Sequence, residues 1–141
     1  MNPPARSARP PEVILDFIFE DGVFFISLQN LGDGPAHDVR VRFDKKFSGV
    51  EGAKEMSSLR LFQKIPFLAP RKEIKIFLDT SASYFRRRQP TRLQATITFK
   101  DDLGAAFEKV VRHDLAIYKD LGYVQRPALR TENVFPAAPE S

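Results

Sequence analysis

The residues best suited to metal or acid–base chemistry are two His-Asp pairs, His37-Asp38 and His113-Asp114, which hold both histidines of the chain. Two imidazoles and two carboxylates can bind a transition metal or move a proton. Both pairs lie in stretches of alternating character, however, and neighbouring residues of a strand project from opposite faces. We therefore predict histidines on the surface or in turns, with no shared metal site and no acid–base pair.

Other candidate groups have simpler interpretations. Asp33, Asp101 and Asp102 lie in glycine-containing turns, where an Asp side chain hydrogen-bonds to its own backbone, whereas calcium needs about six or more converging oxygens. Ser81 and Ser83 lack the G-x-S-x-G setting of an activated serine, and the chain has neither a Gly-rich phosphate loop nor zinc-ligand spacing. The sequence therefore predicts no catalytic residues, no metal and no cofactor, and the protein is not expected to be an enzyme.

The sharpest charge feature is the basic loop, which follows Tyr84 and contains Arg86, Arg87, Arg88 and Arg92. Arginines beside aromatic rings can neutralise phosphates and stack on bases. Consecutive arginines between two strands also often remain solvated. The sequence leaves both alternatives open: a contact site for a polyanion or partner formed by these five residues, or a solvated connection.

Composition bounds the architecture in which these residues must sit. The chain has 141 residues, a net charge of +4, thirteen Phe and no Cys, so it has the size of one domain that builds its core without disulfides. The charge comes from 22 basic and 18 acidic residues that are mostly interspersed. We therefore interpret this mixed surface as solvated and not as a dedicated binding site.

The dominant pattern is period-two alternation, which is typical of strands with one buried face. A turn signal at Gly32-Asp33-Gly34-Pro35 leads into such a strand, and Gly34 is a candidate for positive φ. Pro66 and Pro70 confine the apolar piece between 59 and 68 to a sheet edge or an irregular crossing. Strands are predicted at 12–20, 23–30, 37–45, 59–68, 71–79, 92–100 and 105–118, the last with a bulge or bend, and residues 46–58 as a long loop or poor edge strand.

The alternation also predicts the face on which side chains lie. On the strand at 37–45, Val39 and Val41 face inward and Arg40 and Arg42 outward. Asp79 lies with Lys75 and Phe77 on the face opposite Ile74, Ile76 and Leu78, and Ile117 lies on the more apolar face of the last strand. Asp21-Gly22 is a favoured two-residue hairpin turn between the first two strands.

Seven strands with evenly spaced turns and no long helix favour an all-β fold, an antiparallel seven-stranded immunoglobulin-like β-sandwich. We place this domain at residues 12–118, between a Pro-rich N-terminal tail at 1–11 and a C-terminal tail at 119–141, both disordered or extended. The C-terminal tail has two small apolar clusters, Tyr123-Val124 and Val134-Phe135. These clusters are candidates for docking along a sheet edge or groove, and a free tail is the alternative.

The N-terminal residues lack the apolar run of about 7–15 residues that a signal peptide needs, and no segment has the ~20 apolar residues of a membrane span. If Met1 is the natural start, the protein is expected in the cytoplasm.

Three motifs carry a family resemblance: Asn30-Leu-Gly-Asp-Gly-Pro-Ala-His-Asp-Val-Arg-Val41, Pro66-Phe-Leu-Ala-Pro70 and Ile97-Thr-Phe-Lys-Asp-Asp-Leu-Gly104. Together they resemble bacterial immunoglobulin-like or fibronectin-III-like modules of the CARDB type, from about Glu12 to Tyr118. The resemblance implies a module for adhesion, spacing or docking.

We therefore predict a non-catalytic protein-protein interaction or structural module, whose partner is another protein or another copy of itself. We expect its contact surfaces at the proline-containing edge at 59–68 and at the basic loop. Binding of a polyanion, either nucleic acid or an anionic surface, through Arg86-Arg92 is the alternative function.

Overall fold

The computed structural model describes residues 9–121, which form strands, two short α-helices and two 3-10 segments. The strands are β1 (Val13–Glu20), β2 (Val23–Asn30), β3 (Ala36–Phe43), β4 (Ser48–Gly49), β5 (Lys54–Glu55), β6 (Ile65–Leu68), β7 (Glu73–Thr80), β8 (Arg92–Lys100) and β9 (Ala106–Asp114). The helices are α1 (Arg60–Gln63) and α2 (Ser81–Arg86), and the 3-10 segments are Val50–Gly52 and Leu115–Leu121. Within these residues, no helix is both long enough and apolar enough to cross a membrane.

Seven of the strands form two antiparallel sheets, with the orders β1-β2-β7 and β6-β3-β8-β9, while β4 and β5 form a small separate ribbon. Apolar side chains from both sheets make one buried core. The all-β, sandwich-like architecture predicted from the alternation is therefore confirmed in its general form.

The alternation also predicted which face of each strand is buried. On β3, Val39 and Val41 are buried while Arg40 and Arg42 are exposed. The apolar positions of β8 are buried in the same way, and these are Leu93, Ala95, Ile97 and Phe99. The predicted hairpin between β1 and β2 turns at Asp21 and Gly22, whose φ values of 53° and 75° are those of a two-residue turn with both central residues left-handed.

Two predicted segments have a different structure. Residues 46–58, predicted as a loop or poor edge strand, contain the β4–β5 ribbon and contribute Phe47 and Met56 to the core. The start of the predicted edge piece at 59–68 is the helix α1, and only β6 is strand. β6 lies at the edge of its sheet, which is one of the two arrangements that Pro66 allowed.

The last strand is shorter than predicted. β9 ends at Asp114, whose carboxylate accepts a hydrogen bond from the Ala116 backbone N–H at 3.0 Å and so starts a 3-10 turn. Beyond that turn Ile117, which the alternation placed on the inner face, is 67% exposed. The prediction of a strand reaching residue 118 is wrong for this reason.

Gly34 is required by a close approach, and not by the positive φ that the turn suggested. The positive-φ glycines among residues 9–121 are Gly22, Gly52 and Gly104. A Cβ on Gly34 would lie 1.9 Å from the backbone oxygen of Arg9. The last residues of the predicted N-terminal tail therefore pack against this turn.

The buried Asn30 side chain holds this end of the domain together. Its Oδ1 accepts hydrogen bonds from the backbone N–H groups of Glu12 and Gly32 at 3.1 and 3.0 Å. Its Nδ2 donates to the carbonyls of Gly34 and Leu68 at 2.9 and 3.2 Å. One amide thus links the residue before β1, the turn and the edge strand β6.

Candidate interaction surface

The helix α2 leads into the basic loop. The Thr80 hydroxyl caps this helix, because it accepts a hydrogen bond from the Ser83 N–H at 3.1 Å. Tyr84 lies on the inner side of this helix and is 0% exposed. Its hydroxyl donates to the Pro90 carbonyl at 2.5 Å, and burial raises the pKa of the phenol. Tyr84 is therefore a core residue, and its predicted contact with a ligand or partner is not compatible with this position.

Arg87 also points into the domain, where it forms an ion pair with the wholly buried Asp79. Its Nε donates to Ser83 Oγ at 3.2 Å, its Nη1 to Ser48 Oγ at 2.7 Å, and its Nη2 to the Ser48 carbonyl at 3.2 Å. With its donors engaged internally, Arg87 stabilises the fold and leaves little of its guanidinium for a ligand.

Sequence reasoning missed this ion pair because alternation placed Asp79 on the outer face with Lys75 and Phe77. A register shift in the β2–β7 pairing instead sets Asp79 opposite Phe24, on the inner face. There Asp79 Oδ1 also accepts hydrogen bonds from the Thr80 and Glu51 N–H groups at 2.9 and 3.2 Å. A bulge of this kind is not visible in the hydrophobic pattern.

The other three arginines of the basic loop lie on the surface. Arg86 and Arg88 are exposed, and neither side chain has an ion pair or hydrogen bond to another residue between 9 and 121. Arg92 is exposed on β8, with its Nε 3.8 Å from Asp114 Oδ2. The five predicted residues are thus divided between the core and the surface.

The two histidines lie in separate settings. His37 Nε2 is 2.6 Å from Asp102 Oδ1, and its ring packs on Phe67 with centroids 5.5 Å apart. His113 Nε2 is 2.9 Å from the carbonyl oxygen of Leu15 on β1. Within the described part of the chain, no group of three or more His, Cys, Asp or Glu residues could hold a metal ion.

A groove of about 480 Å³ lies on the outer face of the four-stranded sheet, beside α1. We call it the arginine groove, and its polar lining consists of Arg40, Arg42, Ser57, Ser58, Gln63 and Thr98. Phe43 and Phe62 also line it, with their rings packed edge to face at 5.3 Å. The groove therefore combines two cations with an apolar base.

Arg40 and Arg42 are alternate residues of β3, so both side chains project from the outer face. Neither has an ion pair or hydrogen bond to another side chain in the described range. Sequence reasoning identified both as outward-facing but could not place α1 beside them. The signal that could have found the site is the i, i+2 spacing of two arginines on one strand.

One acidic residue lies next to the arginine groove. Glu55 accepts hydrogen bonds from the hydroxyls of Ser58 and Ser57 at 2.8 and 3.0 Å. These bonds lower the pKa of the Glu55 carboxyl below its ordinary value of 4.5. Glu55 is therefore ionised at neutral pH and opposes the positive charge of the two arginines.

The α1–β6 edge, residues 60–68, lies next to the arginine groove. Phe67 on β6 is 56% exposed, compared with 43% for Phe77, the other exposed aromatic side chain of residues 9–121. Pro66 beside it has no N–H to donate, so a partner strand cannot continue regular pairing there. This edge consequently offers side chains, and not a backbone ladder, to a partner.

The predicted docking residues of the C-terminal tail, Tyr123, Val124, Val134 and Phe135, lie outside the described residues.

Comparison with known proteins gives a family but no activity. A family model with the description "Domain of unknown function (DUF8453)" matches residues 4–119. No curated protein matches the chain. The X-ray structure of Northeast Structural Genomics Consortium target SoR45 is similar at 15% identity over 76% of this chain and 86% of that chain, with a TM-score of 0.27. A score this low supports no inference about fold or function.

Proposed function

The chain belongs to the family described as "Domain of unknown function (DUF8453)", and we propose that it acts as a non-catalytic interaction module with an immunoglobulin-like fold. Its partner is another protein or a second copy of the chain. The contact surface is the α1–β6 edge. The observation that carries this proposal is Phe67, a large aromatic side chain that is 56% exposed on the edge strand.

The strand order supports the immunoglobulin-like part of the proposal. Counting only the seven strands of the two sheets, one sheet contains strands 1-2-5 and the other 4-3-6-7. The constant-type immunoglobulin arrangement puts strands 1-2-5-4 in one sheet and 3-6-7 in the other. Here the fourth strand, β6, pairs with the third instead. The resemblance to CARDB-type modules remains part of the proposal.

The position of Phe67 supports the contact surface. Aromatic side chains are enriched in protein interfaces, where burial of one ring contributes a large share of the binding energy. Phe67 is supported on one side by the His37 ring, which Asp102 holds at 2.6 Å. The ring is thus preorganised, so that little conformational entropy is lost when a partner covers it.

The test compares Phe67→Ser with Ile117→Ser. Ile117 is similarly exposed, at 67%, but it lies just after β9, near the end of β8 that is remote from Phe67. Sedimentation velocity measures self-association, and affinity capture followed by mass spectrometry measures binding of another protein. We expect Phe67→Ser to weaken either self-association or the binding of another protein, and Ile117→Ser to change neither of these two interactions. Wild-type behaviour of Phe67→Ser in both measurements would exclude the α1–β6 edge as the contact surface.

Polyanion binding by the basic loop is a second candidate, and one observation favours it: Arg86 and Arg88 are exposed and lack partners within residues 9–121. Because Tyr84 is buried and Arg87 is paired with Asp79, binding of a polyanion would rely on Arg86, Arg88 and Arg92. Affinity for single-stranded DNA that falls steeply with salt, and falls further in Arg86→Gln/Arg88→Gln, would support this function.

A further inference from the structure

We propose that the arginine groove binds an extended acidic segment of the partner protein. This inference rests on the proposed function in one respect, since it takes the partner to be a protein. It adds a second contact beside the α1–β6 edge and states the chemistry of the segment that occupies it.

The arginine groove carries two positive charges that no neighbouring acidic group pairs with in the described residues. Arg40 and Arg42 are exposed neighbours on one face of β3 and have no ion pair within the described residues. Alternate residues of a strand are about 7 Å apart, which is also the spacing of alternate side chains in an extended peptide. Two carboxylates of such a peptide can therefore meet the two guanidinium groups, each through a bidentate pair of hydrogen bonds.

The lining of the groove supports a peptide. Its volume of about 480 Å³ falls in the range of ligand sites, and it combines the arginines with Thr98 and Gln63, which can hydrogen-bond to a peptide backbone. The half-buried Phe43, which packs on the buried Phe62, gives it an apolar base. An apolar residue two positions before or after the acidic pair projects from the same side of the peptide and can rest there.

The same residues argue against nucleic acid as the occupant. Base stacking needs an accessible aromatic face, whereas Phe62 is only 2% exposed and the half-buried Phe43 has its ring packed against those of Phe17, Phe47 and Phe62. Beyond Arg40, an adjoining hollow is lined by Asp38, Glu108 and Lys100. Asp38 pairs there with Lys64 and Lys100 at 3.5 and 3.9 Å, whereas Glu108 has no ion pair within residues 9–121. A continuous phosphate backbone would pass the Glu108 carboxylate, while a short acidic segment can end before it.

The charge of Glu55 should affect the binding of an acidic segment in the opposite direction to the charges of the two arginines. Glu55 lies next to the groove, bonded to the Ser57 and Ser58 hydroxyls, and is ionised at neutral pH. Its charge weakens the attraction for an acidic ligand. Removing that charge should therefore strengthen binding, which is the opposite of what removing an arginine does.

The experiment measures fluorescence anisotropy of a labelled hexaglutamate peptide on the full chain at about 50 mM salt, where screening is modest. We expect Arg40→Gln/Arg42→Gln to lower the affinity about tenfold or more. The matched control is Arg86→Gln/Arg88→Gln, which removes the same charge elsewhere and should change the affinity less than about twofold. Glu55→Gln should bind a few-fold more tightly. Thermal melts check that each variant is folded, and the single Arg42→Gln variant serves if the double variant is not.

Three results would overturn the inference: no binding of hexaglutamate by the wild-type chain, an equal loss in the two double variants, or tighter binding of a labelled hexathymidine than of the peptide. The Phe67→Ser variant separates this inference from the proposed function. If that variant loses its partner while wild-type chain ignores hexaglutamate, the α1–β6 edge stands and the groove inference fails. If hexaglutamate binding depends on Arg40 and Arg42 but Phe67→Ser keeps its partner, the groove stands and the edge fails.

Discussion

Arg87→Gln is the substitution that best separates a structural arginine from a ligand-binding one. Arg87 pairs with Asp79, which is 0% exposed, and donates three further hydrogen bonds to Ser83 and Ser48. Without the guanidinium, the Asp79 carboxylate keeps its two backbone donors but loses its counter-charge. A buried charge left without a partner is among the most destabilising changes a single substitution makes.

The magnitude follows from the burial of the two partners. Breaking a fully buried ion pair costs about 3–5 kcal/mol of unfolding free energy. The Arg87 side chain is 19% exposed, so water can approach the carboxylate in the variant, and we expect about 2–4 kcal/mol. With a urea m-value of about 2 kcal/mol/M, the unfolding midpoint falls by about 1–2 M.

The assay is urea unfolding at pH 7, followed by circular dichroism and by tyrosine fluorescence. Arg86→Gln is the matched control, because Arg86 is adjacent but exposed, and it should change stability by less than about 0.5 kcal/mol. Adding Asp79→Asn to Arg87→Gln should recover part of the loss, since it removes the unpaired charge. Equal midpoints for Arg87→Gln and Arg86→Gln would refute the assignment of Arg87 to the fold.

Three other predictions test the inward face of β3, the turn at Gly34 and the charge of Glu55. Val41→Asp should destabilise by several kcal/mol and Arg42→Asp by about 0.5 kcal/mol or less, because Val41 is 5% exposed and Arg42 is exposed; similar unfolding midpoints would mean that the inward face of β3 is misassigned. Gly34→Ala should cost about 1–3 kcal/mol in a thermal or urea melt, since its Cβ would overlap the Arg9 carbonyl; a neutral effect would show that the N-terminal segment moves away freely. Glu55→Gln should lower stability at pH 7, and the difference from wild type should disappear as pH falls below 4.5, because a carboxyl with a lowered pKa stabilises the native state only while it is ionised; a difference that persists at low pH would contradict this.

The regular part of the fold could be predicted from sequence because period-two alternation depends only on which residues face the core. β8 follows its prediction to the residue, 92–100, and the Asp21-Gly22 turn follows from the left-handed conformations these residues tolerate. Pro66 limited its segment to a sheet edge or an irregular crossing, and β6 lies at an edge. These features are local, and a local pattern is enough to specify them.

What the sequence could not provide depends on contacts between distant segments. Asp79 is buried because a register shift turns it inward, and its partner Arg87 approaches from the far end of α2. Gly34 is required by the backbone of Arg9, which is 25 positions away in sequence on a segment predicted as a free tail. Of the predicted site residues, Tyr84 and Arg87 have the pattern of a basic loop but pack inward. Tyr84 is turned inward by α2, whereas Arg87 is the residue that caps the C-terminal end of that helix and Arg88 follows with a positive φ of 57°.

The central claim, that partners dock on the α1–β6 edge, is tested most directly by photo-crosslinking in the cells that make this protein. A photoreactive phenylalanine analogue replaces Phe67 in one variant and Ile117 in the other, and covalent adducts are identified by mass spectrometry. We predict one dominant adduct from position 67, either with a single other protein or with a second copy of the chain. The same adduct should not form from position 117. The same adducts in equal yield from both positions, or no adduct from position 67, would contradict the claim.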